Sequence, residues 1–397
     1  MDAIGDDGSI RLDQTCHASD VGQGYTFFAE GDVIIAKITP CFENGKGALA
    51  RGLRNGVAFG TTELIVVRPK HGCSWGPYLQ WLFTSPDFRL QATAAMYGAG
   101  GQKRVPDDSV RDFAVALPSM GEQQAIAAFL DRETAKIDAL VSEQEHLLGL
   151  LSEKRQALIF QAVTQGLEPS VPMKNSGVEW LGQTPVDWTI CALNYKYEIE
   201  LGKMLDGAKI AGSHLEPYLR NVDVQWWHIN ADDLPKMDFI GDDVGRFILK
   251  KGDLLVCEGG EVGRGAIWNA PLERCFYQKA LHRVRARNAS EDMPEFLLYA
   301  LFAVASTGTL AENGGRTTIA HLPAEVFRRQ RFAFPPIEEQ RAIVEFLDEE
   351  TRRINVITEE CNKAISLIGE RRAALISAAV TGKVDVRGFV PARQEAA

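Results

Sequence analysis

The chain has 397 residues, a length that suggests two or three domains, and it is 45% hydrophobic and 24% charged. This balance excludes a disordered, collagen-like or low-complexity chain. The net charge of −10 argues against a protein that coats nucleic acid without sequence preference, which needs Lys and Arg in excess, although a local basic face is compatible with an acidic total.

The first strong turn is Glu30-Gly31-Asp32, followed by the β-branched run Val33–Ala36. Asn44-Gly45 and Asn55-Gly56 read as turns and Leu64–Val67 as a strand. A helix is expected over 76–95, then a glycine loop, Gly100-Gly101-Gln102-Lys103-Arg104, and a strand leading into a long helix. The same order of parts returns later: the turn Lys251-Gly252-Asp253, strands at 253–256 and 281–284, a helix over 294–311, the loop Gly314-Gly315-Arg316-Thr317-Thr318, a strand and a second long helix. Seven cysteines with no C-x-x-C pair argue against a disulfide framework or a Cys-rich zinc site and fit a reducing cytosol. Residues 1–7 carry no signal-peptide pattern, and the longest uncharged apolar-rich run, 296–310, is too short to span a bilayer. A cytoplasmic protein without a membrane partner is expected.

The long helices are copies of one another. Residues 118–164 and 335–381 align at an offset of 217 without a gap, and 21 of 47 positions are identical. Alternate steps of four and three from Ile126 reach Leu130, Glu133, Ile137, Leu140, Gln144, Leu147, Leu151, Lys154 and Leu158. The same steps from Ile343 reach Leu347, Glu350, Ile354, Ile357, Cys361, Ala364, Ile368, Arg371 and Leu375. This is a heptad seam, and helices of about 43 residues, roughly 65 Å long, need a partner helix to bury it. In an antiparallel pair the polar breaks would place Glu133 near Arg371 and Lys154 near Glu350; the alternative is that they lie on the rim. Pro118 and Pro335-Pro336 stand at the helix starts, and Gly166 and Gly382 suit left-handed stops.

The fold class expected is α+β: two mixed α/β modules separated by two long helices in an antiparallel coiled coil, an internal repeat with approximate two-fold character. The divisions are 1–116 for the first module, 117–166 for the first helix, 167–333 for a linker and the second module, 334–383 for the second helix, and 384–397 for a tail. The second module has about 75 residues before Gly252, counted from Ser176, whereas the first has 30 before Gly31.

The pattern E-Q-x-A-I-x-x-F-L-D-x-E-T-x-x-I, at 122–137 and 339–354, resembles the conserved regions of the specificity subunit of type I restriction-modification systems. So do the helix ends at 153–166 and 370–382, the linker Met173-Lys174-Asn175-Ser176-Gly177-Val178-Glu179-Trp180-Leu181-Gly182, and the stretch 36–47. The resemblance implies two target-recognition domains, each reading half of a split sequence in double-stranded DNA, held apart by the coiled coil. It implies a non-catalytic subunit that docks two modification (methyltransferase) subunits, which restriction subunits join. No cofactor is expected in this chain; S-adenosylmethionine, and ATP with Mg, belong to the partners. The first module departs from that pattern: by the unequal lengths before Gly31 and Gly252 it lacks an opening portion of roughly 45 residues, and impaired reading of DNA by that domain is the expectation.

Such an object suits half-sites about one helical turn apart, and inserting one heptad of helix should change the tolerated gap. Gln102, Lys103 and Arg104 combine an amide able to read adenine with cations for phosphate or guanine, and Arg316, Thr317 and Thr318 occupy the matching loop. The alternative is a solvated turn whose glycines only permit positive φ. Further candidates are Lys37, Thr39, Asn44 and Lys46 after the first strand, Tyr218, Arg220 and Asn221, and Arg264; each is individually compatible with a surface or packing role. Arg328-Arg329-Gln330-Arg331 is the densest basic run. Residues 259–265 lack the Lys-Ser/Thr ending of a phosphate-binding loop, and no metal-ligand spacing or methyltransferase motif is present. A coiled-coil scaffold without a DNA role is the competing class, favoured by the acidic total, and an enzyme acting alone is opposed by the absent motifs.

Overall fold

The computed structural model describes residues 1–397 except 16, 18–20, 22–23, 100, 205–211, 313–320 and 389–397. The chain divides into two compact units, Met1–His146 with Glu360–Ala397, and Leu147–Glu359.

The first unit opens with β1 (Thr26–Ala29), β2 (Val33–Ala36), β3 (Gly47–Leu49), β4 (Val57–Gly60) and β5 (Leu64–Val67). The run Val-Ile-Ile-Ala of β2 is buried throughout because β2 is the central strand, antiparallel to β3 and β5. β1 and β4 form a separate antiparallel pair. Helices α1 (Gly76–Thr84) and α2 (Pro86–Ala94) replace the single helix expected over 76–95. Pro86 has no N–H to continue α1, and the Ser85 hydroxyl accepts the Phe88 N–H at 3.4 Å, so the chain caps and restarts there. The single turn α3 (Asp108–Arg111) precedes α4 (Met120–Gln165), the first long helix.

The second unit begins with the antiparallel pair β6 (Met173–Asn175) and β7 (Gln183–Pro185), then β8 (Thr189–Ala192), the turn α5 (Leu193–Lys196) and β9 (Tyr197–Leu201). β10 (Leu215–Leu219), β11 (Val224–Gln225), β12 (His228–Ile229), β13 (Lys236–Asp238) and α6 (Asp242–Phe247) lead to β14 (Leu254–Cys257), β15 (Gly265–Ile267), β16 (Phe276–Tyr277) and β17 (Leu281–Ala286). Then come α7 (Pro294–Ser306), α8 (Thr309–Glu312), α9 (Ala324–Arg329), β18 (Arg331–Phe334) and the second long helix, α10 (Ile337–Val380). Gly308, at φ 78°, separates α7 from α8 within the helix expected over 294–311.

The duplication extends beyond the helices. The order β3-β2-β5 in one unit is matched by β15-β14-β17 in the other, with β9 added at the edge. Asp32 and Asp253, buried before β2 and β14, each accept two hydrogen bonds from a guanidinium, Arg68 (2.9 and 2.7 Å) and Arg285 (both 2.6 Å). Each also accepts a backbone N–H three residues back, from Ala29 and Lys250, at 2.7 Å. Burial opposes the charge of Asp32, yet Arg68 and the Ala29 N–H hold its carboxyl below the usual range. The Gly-Asp turns are therefore ion-paired anchors of the central strand.

The units differ where chain is available to cover them. β10 joins β16 in parallel and β13 in antiparallel, and Phe239 stacks on Phe276 at 4.0 Å, leaving Phe276 fully buried. The matching Phe59, on β4, is 44% exposed. The strand expected before each long helix forms as β18, paired with β8. It does not form at 114–117: the first unit has no counterpart of β8 among its described residues, so backbone hydrogen bonds for that strand are lacking.

Within each unit the long helices run antiparallel. In the first unit Ile126, Phe129 and Leu130 share a core with Ile376, Ala379 and Val380, and Arg372 reaches Asp138 at 2.9 Å. In the second, Ile159 and Val163 share a core with Ile343 and Leu347, and Arg155 donates to Asn355 at 3.0 Å. These cross-helix pairs are copies at the 217 offset. They correct the expected pairing: Glu133 is held by Arg132 and Lys136 of its own helix, and Glu350 by Arg353. The numbers of facing residues sum to 510 rather than 504. In that register Ile376 and Val380 are buried in the first unit's core, and the Val380 carbonyl accepts the Tyr78 hydroxyl at 3.2 Å. Gly166 and Gly382 stop the helices at φ 79° and 72°.

Candidate nucleic-acid interface

In the first unit the end of β2 is joined to the glycine loop by backbone. Val105 N–H donates to the Lys37 carbonyl (2.8 Å), Thr39 N–H to the Lys103 carbonyl (2.9 Å), and Arg104 pairs with both Ile38 and Tyr97. Gly98 makes this possible: at φ 130° it lies where a Cβ would stand 2.5 Å from the Gln102 carbonyl oxygen. Five candidate residues, Lys37, Thr39, Gln102, Lys103 and Arg104, thus share one strip.

Their side chains differ in freedom. Arg104 forks onto Glu63 at 2.9 and 2.8 Å, and that hydrogen bonding holds the Glu63 carboxyl below its usual range. Lys37 lies 3.9 Å from Asp107, and Thr39 Oγ1 is buried without a partner. Gln102 and Lys103 are exposed, and their side chains carry no hydrogen bond or ion pair among the described residues. Asn44 and Lys46 sit on a neighbouring turn, with Asn44 exposed and Lys46 Nζ 3.5 Å from the Met1 carbonyl. Half-buried Arg89, its pKa brought down to about 10 by desolvation, props that turn by donating to the Phe42 and Gly45 carbonyls.

The second unit repeats this backbone. Leu322 N–H donates to the Glu258 carbonyl (2.7 Å), and Gly259 pairs with His321, as Val105 does with Lys37 and Arg104 with Ile38. Opposite charge occupies the frame: His321 Nε2 lies 3.1 Å from the Glu258 carboxylate, whose pKa burial raises. Sequence reasoning missed Glu258 and His321, although the step of 217 from Arg104 lands on His321. Arg316, Thr317 and Thr318 lie outside the described residues.

The remaining candidates in this unit are engaged internally. Tyr218 is buried on β10. Arg220 forks onto Asp223 at 2.9 and 2.7 Å. Asn221 donates to the Gly259 carbonyl (3.1 Å) and accepts from Arg264 (3.1 Å), which also lies 3.6 Å from Glu261. The structure therefore brings Asn221 and Arg264 together beside the loop at 258–264. Arg328 of the basic run is tied to the Ile199 carbonyl at 2.7 Å, while Arg331 is exposed. Trp226 and Trp227 pack with Tyr299 and Phe302 at the edge of the second unit's core.

Two further positions of the repeated motif, present in both copies, carry structure that its periodicity did not reveal. Gln123 and Gln340 are fully buried and bonded through both amide atoms. Asp131 accepts from Trp81 Nε1 at 2.8 Å, and Asp348 from the Tyr299 hydroxyl at 2.6 Å. Among the described residues no group of His, Cys, Asp and Glu could hold a metal ion, and no helix is long and apolar enough to cross a membrane.

Residues 203–366 match the family model for the type I restriction modification DNA specificity domain. The specificity subunit of type I restriction enzyme EcoAI from Escherichia coli is 44% identical over 131 residues, 33% of this chain and 22% of that protein. The EcoEI specificity subunit of the same organism is 39% identical over a stretch of the same size, again 22% of its length. The EcoKI specificity subunit of Escherichia coli strain K12 is 22% identical over 277 residues, 68% of this chain and 57% of that protein. The matches thus span about a fifth of the first two relatives and under two thirds of the third. Among solved structures, one described as "Structural basis underlying complex assembly and conformational transition of the type I R-M system" superposes with a TM-score of 0.78 at 18% identity, covering 96% of this chain and 90% of the other. The HsdS subunit from Thermoanaerobacter tengcongensis gives 0.57 at 18% identity, covering 96% and 89%. At that identity the likeness is one of fold.

Proposed function

We propose that this chain is a specificity subunit of the type I restriction-modification kind, a non-catalytic subunit that reads a split target in double-stranded DNA. Residues 1–116 and 167–333 are the two recognition domains, each reading one half-site. The helices at 117–166 and 334–383 set the distance between them, and 384–397 is a tail. Two modification subunits dock on the subunit and bring S-adenosylmethionine; restriction subunits bring ATP with Mg. The chain itself needs no cofactor, and its place of work is the cytoplasm.

The observation that supports this reading is a repeated strip: in both units the residue after the central strand accepts a backbone N–H, Lys37 from Val105 and Glu258 from Leu322, beside a matching bridge, Ile38 with Arg104 and Gly259 with His321, on frames with different side chains. A shared frame with divergent tips suits two modules that read different bases. In the first domain Gln102 and Lys103 are the free tips, with Lys37, Thr39, Asn44 and Lys46 beside them. In the second, Arg316, Thr317 and Thr318, with Tyr218, Arg220, Asn221 and Arg264 near the loop at 258–264, are the counterpart set. Docking is supported by apolar side chains left exposed on the long helices: Leu140 and Leu367 in the first unit, Leu147, Leu150, Val356 and Ile357 in the second.

A second reading, a coiled-coil scaffold without a DNA role, draws on the net charge of −10 and on the internal pairing of Arg104, Arg220 and Arg264. A gel shift with the modification subunits present separates the two. Sequence-selective binding that weakens with salt supports DNA reading, whereas no binding at low salt supports the scaffold. Methylation by the purified chain alone would overturn the non-catalytic assignment.

A further inference from the structure

We propose that Gln123 with Asp131, and Gln340 with Asp348, are positioning residues that lock each recognition domain at one place and one azimuth on its long helix. The inference rests on the reading of the helices as a spacer and says what makes the spacer accurate.

The amide of Gln123 joins three pieces of backbone. Its Oε1 accepts the N–H of Trp75, the cap residue of α1, at 2.8 Å. Its Nε2 donates to the Cys73 carbonyl (2.8 Å) and to the Pro118 carbonyl (2.9 Å), just before α4 begins. Gln340 does the same in the other unit: Oε1 accepts from Met293, the cap of α7, and Nε2 donates to the Glu291 and Pro335 carbonyls, all at 2.9 Å. Both side chains are fully buried, so each unmade bond would leave a desolvated polar group.

Eight residues further along each helix stands a second latch, Trp81 on Asp131 and Tyr299 on Asp348. Eight residues is about 12 Å at the α-helical rise and about 80° further round the helix, so the two latches differ in both height and azimuth. One latch leaves a domain free to pivot; two fix both its place along the rod and its angle. Burial raises the Tyr299 pKa, which keeps its hydroxyl a donor to Asp348. Loss of a latch should then broaden the DNA gap that is accepted rather than change the bases that are read.

The test uses the complete complex with modification subunits and duplexes carrying its own two half-sites, separated by the native gap or by one base pair more or less. Gln340→Glu turns both donors into an acceptor facing two carbonyls. Tyr299→Phe is the mild variant, removing one hydroxyl and keeping the ring against Trp227. The ratio of methylation rates between native and altered gaps should fall about tenfold in Gln340→Glu, the worth of a buried hydrogen bond, and by a smaller factor in Tyr299→Phe, with half-site preference unchanged. If Gln340→Glu does not assemble, Tyr299→Phe decides. Folded variants that discriminate gaps as the wild type does would overturn the proposal alone. A wild-type complex indifferent to the gap would instead sink the spacer reading and the proposal with it.

Discussion

Lys103→Ala gives the sharpest view of the first unit. Lys103 is exposed, its side chain has no partner among the described residues, and its role in the fold is confined to its carbonyl, which accepts the Thr39 N–H at 2.9 Å. Truncation to alanine keeps that bond, so the loop and the stability of the protein should not change. If Lys103 neutralises one phosphate, its loss lowers the slope of log K against log salt by about 0.9. Between 50 and 200 mM salt, a fourfold rise, the variant should lose about 3.5-fold less affinity than the wild type. The assay is equilibrium binding of the intact complex to its target and to scrambled DNA across that range. Binding to both should weaken alike at low salt, because a phosphate contact carries no sequence information. A slope equal to that of the wild type, in a folded complex, refutes the placement of this loop on DNA.

Three other outcomes follow from particular contacts. Gln102→Ala should relax specificity at one base pair by about 1–3 kcal/mol and leave the salt slope unchanged, measured with a panel of single-base target variants. Asn355→Asp should stabilise the second unit by about 0.5–1 kcal/mol, read as a rise of roughly 1–4 °C in Tm, because Arg155 there faces a neutral amide where Arg372 faces Asp138; no rise would show that the register pair is indifferent to charge. His282 is fully buried and brought down to about 4 by desolvation, against an ordinary value of 6.5. Between those values the unfolded chain binds the proton and the folded one does not, so stability should fall as pH drops from 6.5 to 4, by about 3 kcal/mol from this group. Urea titrations at pH 7 and 4.5 should show that loss in the wild type and a smaller one in His282→Leu.

The parts of the fold carried by local pattern were legible in the chain. Strands Val33–Ala36 and Leu64–Val67 end where their β-branched runs end, and both long helices start near their prolines and stop at Gly166 and Gly382. Ser85-Pro86 is an equally local signal, a cap and restart set inside an apolar stretch. The helix register was not legible. Heptad steps reach buried seam residues such as Ile126, Leu130, Ile343 and Leu347, but also Leu140, Leu147 and Ile357, which are exposed, and they do not tell which residues face each other across the helices. Asp32 and Asp253 were visible only as turn residues, because their partners Arg68 and Arg285 lie 36 and 32 residues away. In the candidate interface, residue type marked out Arg104, Arg220 and Arg264 without distinguishing a free guanidinium from one held by a carboxylate. That distinction needs the neighbours Glu63, Asp223 and Glu261.

The most direct test of the account lengthens both long helices together. Matched insertions between Gln144 and Glu145 and between Ile365 and Ser366 preserve the facing of Asp138 with Arg372. Each heptad adds about 10 Å of helix, close to three base pairs of duplex, and three heptads add about 32 Å, close to one DNA turn. Mapping modified bases with the intact complex should return the same two half-sites, with a gap longer by about nine base pairs for the three-heptad protein. An unchanged gap in a folded, active complex would contradict the idea that helix length in this protein is read out as distance on DNA.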